Sequence, residues 1–324
     1  MKKNRMHLLL QPPNWLGDVI MAQPAMRAFI TGLEPARISV WGRPWLKDAL
    51  PFLGLPGAQY EASMPKQPDM AVMFPNSFRA AWFALRCGAK QRIGFRGQWR
   101  RMLLTDAPSP RISLISQHHR DYYLDLAEQM GIAVTERQVK LPCPAEEARA
   151  GGMLLDQQGL VPNRTVAVAP GAQFGGAKRY PAESWTQVLG GLSKQGYHIL
   201  VLGTAEERHI GAQAVSRCTG RLWNAVGVTT LRQGLQLLAA SRLLLCNDSG
   251  LMHVAAGLGM PVVAIFGATD PARTAPSGPR VRLLYHPAAC SPCLQRECSV
   301  PGQPCMDNIL PAEVRSACMD MLGA

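Results

Sequence analysis

The segment Leu243-Leu244-Leu245-Cys246-Asn247-Asp248-Ser249-Gly250-Leu251-Met252-His253 joins residue types that suit an anionic ligand. A leucine-rich buried strand gives way to Asp and Ser, both good helix N-caps. Gly follows, where a ligand can approach the backbone closely. Free first-turn N–H groups and the positive end of the helix dipole make such a start a seat for phosphate. His253, one turn on, can face the same ligand. An ordinary capped helix is the competing reading.

Ligands of doubly wound sheets collect where strands end and helices begin, and two more loops belong to that edge. In Pro170-Gly171-Ala172-Gln173-Phe174-Gly175-Gly176-Ala177-Lys178-Arg179-Tyr180-Pro181 the glycines permit tight wrapping, and Lys178 and Arg179 offer cations to a diphosphate. Gly203-Thr204-Ala205-Glu206-Glu207 places carboxylates where a ribose hydroxyl could be held. Either acid could equally cap the next helix. Together the three loops point to a nucleotide diphosphate. There is no G-x-x-x-x-G-K-[ST], no opening G-x-G-x-x-G and no Asp-x-Asp pair. Leaving-group charge then falls to Lys178 and the helix end, with neither metal nor cofactor.

In the first half, Asn14-Trp15-Leu16-Gly17-Asp18-Val19-Ile20 is the matching crossing. Asp18 stands at a helix start expected to face an interdomain cleft, where a carboxylate can act as general base. A first-turn acid is also common without any function. Cys290, Cys293, Cys298 and Cys305 have short spacings that fit either a zinc knuckle or reduced structural thiols.

The elements that must position these residues alternate between short apolar strands and amphipathic helices, the pattern of parallel sheets with crossover helices. His7–Leu10, Ile38–Trp41, Met70–Phe74 and Gln91–Phe95 read as strands of a first domain, with a helix from about Leu16 to Thr31. The second domain reads as strands at Thr165–Ala169, Tyr197–Leu202, Leu222–Trp223, Leu243–Cys246 and Val262–Phe266, with helices between them. The expected boundary lies near Val161, giving domains 1–160 and 161–310, with a helix at 311–324 returning to the first.

The 324 residues suffice for two such cores. A hydrophobic fraction of 47% against 17% charged describes a globular chain. The net charge of +12, with arginines spread through the first half, predicts a folded basic face for a polyanion: a nucleic acid, a membrane or a phosphorylated substrate. An aromatic fraction of 6% does not favour a base-stacking platform. Met1-Lys2-Lys3-Asn4-Arg5 imitates a signal-peptide start, but the apolar run after it is too short, and no run spans a bilayer. Nine scattered cysteines suit a reducing compartment. A cytoplasmic protein, resting on a membrane surface, is expected.

Trp15-Leu16-Gly17-Asp18, Pro75-Asn76-Ser77, Pro170-Gly171-Ala172, Ala177-Lys178-Arg179-Tyr180-Pro181 and Asn247-Asp248-Ser249-Gly250-Leu251-Met252-His253-Val254-Ala255-Ala256 together resemble the family-9 glycosyltransferases that act as lipopolysaccharide heptosyltransferases. The stretch Cys290 to Cys298 resembles the heptosyltransferase II branch rather than branch I. The resemblance implies a GT-B fold, two facing Rossmann-like domains with a cleft between them. The acceptor would lie on the first domain and the nucleotide sugar on the second. It implies ADP-L-glycero-D-manno-heptose as donor and the first heptose of the inner core on Kdo2-lipid A as acceptor. Asp18 matches the family's base; Lys178, Asp248, Ser249, Gly250 and His253 match donor positions. Gln173 and Phe174 fall among donor contacts, though they depart from the family's pattern. Inverting single displacement by a monomer follows, with Lys178 and the helix end stabilising the departing ADP.

Acceptor choice is expected to rest on loops at Phe78–Arg101 and Ser116–Tyr123, with Asn76, Arg79, Arg96, His119, Arg120 and Tyr122 as contacts. Two rival expectations stay open. One is a family-9 enzyme with another acceptor, such as heptosyltransferase I. The other is a basic protein that binds nucleic acid or membrane without catalysis.

Overall fold

The computed structural model describes residues 5–323. Met1 to Asn4, the basic start that imitates a signal peptide, lie outside the described residues. The chain divides into two compact units, Met1–Pro142 and Cys143–Ala324.

The first unit is a five-stranded parallel sheet. In chain order its elements are β1 (His7–Gln11), α1 (Leu16–Leu33), β2 (Arg37–Val40), α2 (Leu46–Ala49), β3 (Ala58–Tyr60), β4 (Met70–Met73), α3 (Phe78–Arg86), β5 (Gln91–Ile93) and α4 (His119–Gln129). The strands run in the order β3-β2-β1-β4-β5. Leu8, Leu9 and Leu10 are buried without alternation, as a strand covered on both faces requires. Leu8 is in register with both Ile38 and Met70. The chain leaves β1 in one direction for β2 and returns on its other side at β4, so the switch point lies between β1 and β4.

The second unit contains α5 (Ala145–Gln157), β6 (Thr165–Ala169), α6 (Ala182–Lys194), β7 (His198–Val201), α7 (Arg208–Ala214), β8 (Leu222–Asn224), α8 (Leu231–Ala240), β9 (Leu243–Asn247), α9 (Gly250–Gly257), β10 (Val262–Phe266), α10 (Pro271–Thr274), β11 (Val281–Tyr285), α11 (Pro304–Asp307) and α12 (Pro311–Leu322). Its six parallel strands run β11-β10-β9-β6-β7-β8. This is the doubly wound order again, with the switch point between β6 and β9.

Three expectations change. The boundary moves from Val161 to Pro142 because α5 packs on α8. There Glu147 is buried and accepts from Arg232 and from Gln236 Nε2, the latter at 2.6 Å. Gly151 touches α8 so closely that a Cβ would meet the Gln236 carbonyl oxygen at 2.0 Å. The terminal helix α12, expected to return to the first domain, packs on the sheet and α6 of the second unit. Val314, Ala317, Cys318 and Leu322 lie in one apolar cluster with Val188, Leu245 and Val263 of the second unit. The two stretches read as acceptor loops each carry helix, α3 in the first and the start of α4 in the second. Ser77 caps α3 by accepting from Ala80 N at 3.2 Å, and the His118 ring accepts from Arg120 N at 3.1 Å at the start of α4. Among the described residues, no helix is long and apolar enough to cross a membrane.

Candidate functional site

In the second unit the switch point gathers the predicted donor residues. Asn247 ends β9 and ties the two central strands together at that edge. Its amide nitrogen donates to Pro170 O at 2.7 Å, and its oxygen accepts from Tyr180 N at 3.1 Å. Asp248 follows, buried. One carboxylate oxygen takes both Lys178 Nζ and the Thr269 hydroxyl at 2.5 Å. A buried carboxylate left unpaired would be costly, so this pairing fixes Lys178 at the mouth of α9. Ser249 is the N-cap of α9, yet its side chain caps no N–H, so the first-turn donors stay available to a ligand. His253 is buried in the second turn of the same helix.

The glycine loop is shaped from outside. Ala177 N donates to Arg296 O at 2.9 Å, Gly176 N to Glu297 Oε1 at 3.1 Å, and Gln303 Nε2 to Ala177 O at 2.8 Å. Gly175 has φ 154°, and a Cβ there would meet Arg296 O at 2.2 Å, so glycine is required twice over. The exposed Phe174 ring lies 4.8 Å from Lys178 Nζ and 5.5 Å from the Arg296 guanidinium. Gln173 is exposed beside it. In the third loop Glu207 accepts from Thr204 N at 2.8 Å and from the Thr204 hydroxyl at 3.2 Å, the work of a capping acid. Its carboxylate also fills the space where a Gly171 Cβ would stand, 2.0 Å from Oε1. Glu206 is exposed, and hydrogen bonds from its own backbone N–H and from Thr204 hold its carboxyl below the usual range.

In the first unit Asp18 occupies the first turn of α1. His119 Nδ1 stands 3.9 Å from Asp18 Oδ1, and His119 Nε2 is buried without a partner. The Asp18 carboxylate accepts no hydrogen bond among the described residues and is partly exposed. Its charge and, above all, burial push the Tyr123 hydroxyl well above its ordinary pKa.

A second group forms after β4. Asn76 Nδ2 donates to Tyr122 OH at 2.5 Å, and Arg100 Nη2 donates to Asn76 Oδ1 at 2.8 Å. Arg100 is fully buried and also donates to Phe95 O at 2.6 Å and to Pro75 O. Burial lowers its pKa to about 10 and raises that of Tyr122. Arg120 is engaged with Asp121 and Gln138, whereas Arg79 and Arg96 are exposed and outside this group. Sequence reading missed Arg100, Thr269, Arg296 and Glu297. Only the proximity of Arg296 and Glu297 to the cysteine run drew attention to their loop.

A pocket of about 820 Å3 beside β3, lined in part by Arg27, Lys47, Pro51 and Tyr60, contains none of these residues. Among the described residues no group of three or more His, Cys, Asp or Glu is arranged to hold a metal ion. Of the four cysteines weighed as a zinc knuckle, Cys290 is exposed and Cys305 buried, and the other three thiols lie close enough to Cys305 to help burial push its pKa up.

Two doubly wound units, one carrying a lysine paired with a buried aspartate at a helix start on its switch point, have the architecture of two-domain transferases. The model of glycosyltransferase family 9 (heptosyltransferase) matches residues 64–303, and the chain belongs to that family. It is a glycosyltransferase. Lipopolysaccharide heptosyltransferase 2 of Escherichia coli (strain K12) is 30% identical over 310 residues, covering 86% of this chain and 88% of that one. The structure of E. coli ADP-heptose lps heptosyltransferase II matches with a TM-score of 0.80 at 25% identity, over 98% of both chains. The family-9 glycosyl transferase of Veillonella parvula shares the fold, with a TM-score of 0.82 at 18% identity over 99% of this chain and 98% of that one. The two Rossmann-like domains are those of GT-B heptosyltransferase structures.

Proposed function

We propose that the protein transfers L-glycero-D-manno-heptose from ADP-heptose to the first heptose of the lipopolysaccharide inner core, with inversion and without a metal. The observation that carries the reading is the Lys178–Asp248–Thr269 cluster beside the uncapped start of α9. A diphosphate placed there accepts from the first-turn N–H groups at Ser249-Gly250-Leu251 and pairs with Lys178. Asp248 acts through Lys178, because its carboxylate would repel the ligand directly. His253, Gln173 and Phe174 border the same seat, and Glu206 is the exposed acid available to a ribose hydroxyl.

Asp18 removes the proton of the acceptor hydroxyl as that oxygen attacks the anomeric carbon. The C–O bond to the diphosphate breaks, and the charge gathering on ADP meets donors already in place, so no reorganisation is needed at the transition state. His119 steadies Asp18. Asn76 and Tyr122, held by Arg100, bind sugar hydroxyls, while Arg79, Arg96 and Arg120 supply cations for the acceptor's carboxylates and phosphates. The acceptor is lipid-borne, which places the enzyme at the inner face of the inner membrane.

Transfer assays with ADP-heptose and lipid A–Kdo acceptors bearing zero, one or two heptoses test this. Product is expected with the one-heptose acceptor. Product with only the heptose-free acceptor would assign the first transfer instead, and product with none would reject the donor or the acceptor class.

A further inference from the structure

The donor seat and the Asp18 environment leave one large feature unused. Helix α3 buries only its small side, Ala80, Ala81 and Ala84. Its large apolar residues Phe78, Trp82 and Leu85, spaced i, i+4 and i+7, form one stripe and are 44%, 47% and 38% exposed. The 3-10 turn Arg100–Leu103 packs on α3. Beside it Trp99 is 87% exposed and Met102 82%. Trp99 holds φ 61°, a left-handed backbone that a bulky residue adopts only at a cost. Single exposed apolar residues are ordinary, but five large ones on two packed elements mark an interaction surface.

Charge selects the partner. Between residues 70 and 105 there are seven Lys and Arg and no Asp or Glu. Arg79, Arg86, Arg96 and Arg101 are exposed and enter no ion pair among the described residues. A second copy of this chain docked on the same face would set these cations against each other. A continuous anionic plane would neutralise them while the aromatic rings enter its interfacial layer.

We propose that α3 and the Trp99–Met102 turn form a docking face for an anionic phospholipid bilayer. Phe78, Trp82, Leu85, Trp99 and Met102 enter the headgroup–acyl boundary, and Arg86 and Arg101 lie on lipid phosphates. The stripe begins two residues after Asn76, so docking would bring the bilayer plane beside the proposed acceptor residues. The inference rests on the lipid-borne acceptor of the proposed function only for its purpose, because the surface itself is read from exposure and charge.

The test is co-sedimentation of the full chain with acceptor-free vesicles, phosphatidylcholine alone or mixed with phosphatidylglycerol. Preferential binding to the anionic vesicles, weakened by salt, is expected. Trp82→Ser/Trp99→Ser/Met102→Ser should lower the partition coefficient by about tenfold or more. Arg86→Glu/Arg101→Glu should abolish the preference for anionic lipid. Both variants should keep wild-type melting and wild-type transfer to a delipidated, soluble core acceptor. Wild-type vesicle binding by the triple variant would overturn the proposal. So would tighter binding to DNA than to vesicles, or a concentration-dependent dimer that only the triple variant loses. Intact vesicle binding without transfer to any acceptor would reject the functional reading and leave the docking face standing.

Discussion

The two units share one sheet order and use their switch points differently. In the second, the proposed donor site is held by its own side chains: Lys178 by a buried Asp248, and the glycine loop by Arg296, Glu297 and Gln303. In the first, Asp18 is partly exposed, with His119 Nδ1 at 3.9 Å. The difference fits the tasks proposed for the two units. Charge that grows on a departing diphosphate is best met by dipoles and cations that are already fixed. A base must reach a proton brought by another molecule and benefits from open lone pairs.

Substitutions in each unit can break or sharpen that contrast. The largest effect is expected from Asp18→Asn, a fall in kcat of about 10²–10⁴-fold with ADP affinity and melting unchanged. Near-normal turnover would remove the base from the first unit. Lys178→Ala should lower kcat by about 10²–10³-fold, with a smaller change in KM, because its role grows toward the transition state. A loss confined to KM would make Lys178 a ground-state anchor.

Next in size is Arg100→Met, read by urea unfolding. The Phe95, Pro75 and Asn76 acceptors would be left buried and unpaired, with a loss of about 2–4 kcal/mol. An unchanged midpoint would mean that the first unit's polar group is not structural. Gly175→Ala should cost about 1–3 kcal/mol and weaken ADP binding, since the loop must move off Arg296. Smallest is Glu207→Ala, about 1 kcal/mol of stability through the lost cap, with ADP affinity little changed. The matching Glu206→Ala should leave the melt alone and weaken ADP instead. The reverse pattern would exchange the roles of the two acids.

The residues of the proposed donor site stand out in the sequence because glycines, a cation and cap residues cluster where strands end, and that chemistry is local. Asp18, the proposed base, stands out for the same reason. Arg100 was not, since a sequence offers no reason to place an arginine, ordinarily exposed, in a core among neutral carbonyls. The edge strands β3 and β11 escaped notice because short, partly exposed strands lack a continuous apolar run. The destination of α12 and the allegiance of α5 are tertiary facts. They depend on Gly151 meeting Gln236 and on Val314 and Leu322 meeting the second sheet, contacts that no local pattern encodes. Ser116–Tyr123 reads as a loop because its polar and aromatic residues mask the helical period that begins at His119, although His118 caps that helix well.

A crystal structure of the full chain with ADP asks whether the start of α9, with Lys178, grips the diphosphate. Phosphate oxygens are expected within about 3.2 Å of the Gly250 or Leu251 backbone nitrogen and of Lys178 Nζ. ADP ordered elsewhere, with the helix start left to solvent, would refute the proposed donor site.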